Sequence, residues 1–329
     1  MIADHDAAGY YVRISSKIAL ALFAAVAIIF AWPAMARDGQ VALTFDDLPA
    51  LTILPDQPYV DYTTTKILRG LVRHRFPAIG FVNQGKIDEL QRERQIANLA
   101  RWLDAGMTLG NHTFSHESPN ELGPTSYIAD IVRGEPVIRK LLATYGQPLK
   151  WFRHPYLETG YPASTKQTID TWLDTHGYRI APVTIDADDW EFAEPYDDAI
   201  ARHDVKRQRH LMETYLAHTA MQIDWSKRSS LALFGREIAF VMLLHCTRLN
   251  ADALGKLAAM FRRAKLRPVG LDEAMRDPAY RIRDTYVSRN GSNWFERWSL
   301  ILHRPLPNGD ADPPKWVEQA YDKVDNDRR

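Results

Sequence analysis

One cysteine, Cys246, stands in 329 residues, so no intrachain disulfide can form and no cysteine is placed for lipidation near the N-terminus. Cys246 follows an apolar run and reads as an inert core thiol. Net charge is missing as well. Lys plus Arg and Asp plus Glu are 41 each, so no field of one sign favours nucleic acid or an anionic surface, and an uncharged polymer is the easier partner. Repeats of short fixed period and low-complexity blocks are absent. Long apolar runs are scarce too, the exception being 18–32, which follows Arg13 and Lys17 and precedes Ala34-Met35-Ala36. That run is short beside the roughly 20 apolar residues of a membrane span and fits a signal peptide over 1–36. The expectation is a periplasmic or secreted protein with no stable membrane anchor after cleavage. Losing two acids and two bases with that segment leaves 39 of each from the original 41, so the mature chain stays neutral.

What is present is a hydrophobic content of 46%, ample for a core. Short apolar runs at 41–45, 78–82, 107–110, 149–152, 178–185, 240–244 and 267–269 alternate with helical patterns. One such helix carries Ile96, Leu99 and Leu103 on a single face. Asp46, Asp47, His112, Arg153, Asp186 and His245 fall at or just past the C-terminal ends of the apolar runs. In a β/α barrel those ends converge on the face where chemistry is done. The pattern therefore predicts a barrel, with a doubly wound open sheet as the structural alternative.

The run Val41-Ala42-Leu43-Thr44-Phe45-Asp46-Asp47 sets two adjacent carboxylates at a strand end, suited to hold a cation with one and move a proton with the other. His112-Thr113-Phe114-Ser115-His116 offers two imidazoles four apart, which face the same way on a helical turn. Eleven histidines in 329 residues give about 0.4 such pairs by chance, so the pair needs its carboxylate neighbours to mean anything. Arg153-His154-Pro155-Tyr156, Asp186-Ala187-Asp188-Asp189-Trp190 and Leu243-Leu244-His245 complete five ordered motifs, and with them the chain resembles the polysaccharide deacetylase family, also called the NodB homology or carbohydrate esterase family 4 domain.

The resemblance implies an α/β fold, a distorted seven-stranded (β/α) barrel with a helical insertion at 191–237 before the last catalytic strand. The domain runs over 37–303 and is followed by a Pro-rich charged tail, 304–329, read as partly disordered. Asp47, His112 and His116 are implied as ligands of one divalent metal, Zn2+ first, with Co2+, Ni2+ or Mn2+ able to use the same groups. Asp46 would be the base, held ionised by Arg153, and the Tyr156 N–H would receive the oxyanion. His245 would be the acid, oriented by a carboxylate of the fourth motif, Asp186 by best alignment with Asp188 and Asp189 as the alternatives, and Trp190 would wall the pocket. The implied reaction is hydrolysis of N-acetyl groups on a GlcNAc-containing glycan such as a chitin oligomer, peptidoglycan or exopolysaccharide. O-acetyl esterase activity, as on acetyl xylan, is the alternative. Remoter readings are a glycan-binding pseudoenzyme and a non-haem iron oxygenase, the second disfavoured because oxygen activation has no need of this base and acid.

Overall fold

The computed structural model describes residues 39–325. The expected signal segment 1–36 lies outside the described residues. β1 (Gly39–Leu48) is buried over its last eight residues on both faces, as a central parallel strand requires. It is joined by β2 (Ala78–Val82), β3 (Thr108–Asn111), β4 (Trp151–Phe152), β5 (Arg179–Ile180), β6 (Ala239–His245) and β7 (Leu266–Pro268). All pairings are parallel, in the order β5-β4-β3-β2-β1-β6, with β7 beside the first residues of β1. After β5 the chain returns to β6 through a bridge between Ile185 and Met242. This closes the curled sheet into a distorted barrel and excludes the open doubly wound alternative. The run 178–185 is not one strand, because Pro182 has no N–H to continue the ladder after Ile180.

Strand alternation sorts the side chains. Ala42, Ile79, Phe81, Trp151, Ala181 and Val241 form one cluster that fills the barrel. Their neighbours Val41, Leu43, Phe45, Phe152, Phe240 and Met242 belong to the larger core under the helices. Counting by twos from the inner set leads to Thr44 and Asp46 on β1, Arg153 after β4 and His245 on β6. The inward row thus turns from apolar to ionisable at its C-terminal end.

The helices are α1 (Gln57–His74), α2 (Arg92–Asp104), α3 (Pro119–Arg133), α4 (Pro136–Thr144), α5 (Ala163–Thr175), α6 (Asp189–Ala201), α7 (Val205–Phe234), α8 (Arg248–Arg263), α9 (Leu271–Ala274), α10 (Trp294–Leu302) and α11 (Lys315–Tyr321). Asp56, Ser118 and Thr247 cap α1, α3 and α8, each side chain accepting a backbone N–H of the first turn. Residues 191–237 are filled mainly by α6 and α7. α7 buries Leu211, Tyr215 and Trp225 and packs on α6, α8 and α10. Trp294 and Trp298 are likewise buried core residues of α10.

The segment after 303 differs from the reading of a partly disordered tail. α11 packs on α6 with Val317 fully buried, and the Trp225 indole N–H donates to the Pro307 carbonyl at 3.0 Å. Composition there is polar, but Val317 and Ala320, three apart, present an apolar edge that α6 covers.

Candidate active site

Consecutive strand residues ordinarily point to opposite faces, so Asp46 and Asp47 could not serve one site on a regular strand. The register of β1 on β2 shifts between Phe45 and Leu48, and Asp47 takes a left-handed backbone, φ 58°. This bulge turns both carboxylates toward the same place. Asp47 Oδ1 lies 3.5 Å from His116 Nε2 and 3.8 Å from His112 Nε2. Each of the three residues offers a ligand atom within 4.8 Å of the other two.

The two histidines do not share a helical turn, contrary to the expectation from their spacing. His112 follows β3 directly, and the chain then bends through Thr113 and His116, with φ 68° and 61°. Three local anchors hold this bend. The Thr113 N–H donates to the Asn111 side chain at 2.8 Å. The Phe114 and Ser115 N–H groups and the Ser115 hydroxyl donate to one oxygen of buried Asp130. The His116 N–H donates to the Thr113 hydroxyl at 3.1 Å. Asp130 therefore shapes the ligand loop, a role its place inside α3 gave no means of reading.

His112 donates from Nδ1 to the Arg153 carbonyl at 2.8 Å, which leaves the Nε2 lone pair for the cluster. His116 Nδ1 is 3.0 Å from the Tyr156 hydroxyl, and burial pushes its imidazole down to about 3, the neutral form a metal binds. Asp47 Oδ1 is buried and has no hydrogen-bond partner among the described residues. A buried carboxylate oxygen left unmatched beside two imidazole lone pairs is a donor set that suits a divalent cation.

Arg153 is wholly buried, over the Phe81 ring at 4.7 Å, and donates to Asp46 Oδ1 at 3.0 Å, the Thr44 hydroxyl at 2.7 Å and the Pro182 carbonyl at 3.0 Å. Burial lowers its pKa, and the adjacent Asp46 carboxylate opposes that shift. Asp46 Oδ2 stays on the cluster side, 3.7 Å from His112 Nε2.

His245 ends β6 opposite Asp46 in the ladder. The expectation that Asp186 orients it is corrected. His245 Nδ1 donates to Asp189 Oδ1 at 2.8 Å and its backbone N–H to Asp189 Oδ2 at 2.7 Å, while the Asn250 amide donates to Oδ2 as well. Asp188 is left-handed, φ 47°, and this turn starts α6 so that Asp189 swings under the imidazole. Burial would push His245 down, but the Asp189 carboxylate, with Asp47 and Asp46 behind it, lifts it to about 10. Asp186 is pushed up to about 8 by burial and by its neighbours Asp188 and Asp189, and it accepts the Asp188 N–H at 3.2 Å. Trp190, expected to wall the pocket, packs its ring edge-on against Tyr321 of α11 at 4.9 Å. Tyr156 is 46% exposed with φ 56°, beside His116. Cys246 is buried, its thiol pushed up by that burial, and it donates to the Pro49 carbonyl.

These features define a class: a parallel β/α barrel with a metal-type cluster on the face where its strands end. Comparison with known proteins narrows it. Residues 35–180 match the profile of the polysaccharide deacetylase family. A peptidoglycan-N-acetylglucosamine deacetylase of Bacillus cereus is 28% identical over 155 residues, which are 46% of each protein, so the match spans about half of that relative's length. A chitin deacetylase structure from Colletotrichum lindemuthianum superposes with a TM-score of 0.51 at 20% identity, covering 78% of this chain and 95% of that one. A polysaccharide deacetylase structure from Bacillus cereus gives 0.50 at 17% identity, covering 70% and 91%. At such identities the two structures show the fold.

Proposed function

We propose that the protein is an exported, metal-dependent deacetylase that hydrolyses N-acetyl groups of a GlcNAc-containing glycan. The observation that carries this reading is the unmatched buried Asp47 oxygen facing two imidazoles, with an Arg-paired carboxylate and a carboxylate-oriented histidine close by. Asp47, His112 and His116 would hold one divalent ion, Zn2+ by preference, which supplies Lewis acidity toward an acyl oxygen and a more acidic water. Asp46, with one oxygen on Arg153, keeps the other for the proton of the attacking water. The Tyr156 N–H donates to the oxygen that gains charge in the transition state. His245, protonated at neutral pH and committed through Nδ1 to Asp189, has Nε2 for handing a proton to the leaving nitrogen. An amide needs that proton more than an ester does, which favours the N-acetyl substrate. The Bacillus cereus relative named for peptidoglycan N-acetylglucosamine supports the same choice, and the neutral charge balance suits an uncharged glycan. The signal-like 1–36 segment supports export.

The test is acetate release by the purified chain from chitin oligomers, peptidoglycan fragments and acetyl xylan, with and without chelator. Release from the N-acetyl substrates, lost with chelator and restored by metal, is expected. Release from acetyl xylan alone would transfer the reading to O-acetyl esterase. Silence on every substrate with metal bound would favour a glycan-binding pseudoenzyme.

A further inference from the structure

The segment that follows Tyr280 lies beyond the stretch matched to the family, yet it returns to the catalytic face. Its contacts converge on Tyr156 and Leu157, two consecutive non-glycine residues with φ 56° each. Such a backbone is strained for residues with a side chain and persists only where its surroundings hold it. Here three contacts do so. Gly291 lies so close against the loop that a β-carbon would overlap the Tyr156 carbonyl oxygen, with the carbonyl carbons of Tyr156 and Leu157 at 2.9 and 3.0 Å. Arg297 donates from a terminal guanidinium nitrogen to the Leu157 carbonyl, and its own position is set by Asp284 at 2.8 Å and the Ser292 carbonyl at 3.0 Å. Asn120 donates both to the Arg289 carbonyl at 2.6 Å and to Glu158 at 3.0 Å, joining this segment to the loop from the other side.

We infer that residues 284–297 form a positioning brace for the Tyr156 loop, with Gly291 present because the loop backbone occupies the space of a side chain. The brace sets the orientation of the Tyr156 peptide, and hence where its N–H and its hydroxyl beside His116 point. The inference rests on the deacetylase reading for its kinetic consequence but not for its structural one.

The experiment compares the full chain with Gly291→Ala and Asn120→Ala. Removing an oxyanion donor outright costs about 10²–10³ in kcat, so a displaced donor in Gly291→Ala is expected to lower kcat at least about ten-fold, with KM and bound metal little changed. Asn120→Ala should fall in the same direction by less. Hydrogen exchange of the amides at 156–158 should quicken by about ten-fold or more in Gly291→Ala while the barrel strands stay protected. Unchanged exchange in both variants overturns the brace whatever the activity. Normal kcat with quickened exchange overturns its catalytic role. Wild-type protein that releases no acetate would instead count against the deacetylase reading, leaving the exchange measurement to decide the brace. Should Gly291→Ala fail to fold, Asn120→Ala carries both measurements.

Discussion

Asp46 keeps one oxygen on Arg153 and the other toward His112, so Asp46→Asn preserves shape while removing the proposed proton acceptor. Metal content should stay at the wild-type level and turnover should fall by about 10² to 10⁴. Wild-type turnover in that variant would make the residue structural. Asp189 and Asp186 separate in the same way. Asp189→Asn removes the charge that holds His245 near 10 and should bring the alkaline limb of the pH-rate profile down toward neutrality. Asp186→Asn should leave that limb in place. Its effect belongs to stability, since a carboxyl raised to about 8 in the folded protein stabilises below its unfolded pKa of about 4 and loses that contribution as pH rises toward 8. Relative to wild type, Asp186→Asn should therefore gain thermal stability between pH 5 and pH 8. Parallel melting curves across that range would show that Asp186 does not titrate there.

Elements place these residues, and two of them can be tested separately from the chemistry. The His112–His116 bend depends on Asp130, which accepts three donors from Phe114 and Ser115. Asp130→Ala should weaken metal binding by about 10- to 100-fold, the usual cost of losing an outer support, and a titration with unchanged affinity would assign the bend to Asn111 and Thr113 alone. α11 is the second case. Val317 is fully buried against the rest of the protein, so Val317→Ala should cost about 1–3 kcal/mol in unfolding free energy. A denaturation midpoint identical to wild type would restore the picture of a loose tail.

At the scale of the whole molecule, the cluster joins residues from the ends of β1 and β3, distant in sequence and brought together when both pair with β2 in the sheet. A metal bound by the folded state alone stabilises it by mass action, about 2.7 kcal/mol at a hundredfold excess over its dissociation constant. Chelation should lower the melting temperature, and restoring Zn2+ should recover it. An unmoved melting temperature would mean that the ion contributes nothing to holding β1 and the β3 loop together.

The seven strands and most of the site were legible in the sequence because both signals are local. Apolar runs of strand length predict the strands, and an ionisable residue at the end of such a run predicts the site, as Asp46, His112, Arg153 and His245 illustrate. Pro182 interrupts the run 178–185, although the apolar pattern continues across it. Distance along the chain hid the rest. Among Asp186, Asp188 and Asp189, the choice of partner for His245 turns on the sign of φ at Asp188 and on Asn250 arriving from α8, neither of which has a signature in composition or period. The bulge that lets Asp46 and Asp47 share a site, the Ile185 bridge that closes the ring, and Gly291 against Tyr156 are likewise contacts between distant segments. Sequence alone determined which groups are available and which strand ends carry them, because side-chain alternation acts within a few residues. Tertiary structure alone decided which groups meet, because that depends on left-handed backbone turns and long-range packing that only the closed barrel enforces.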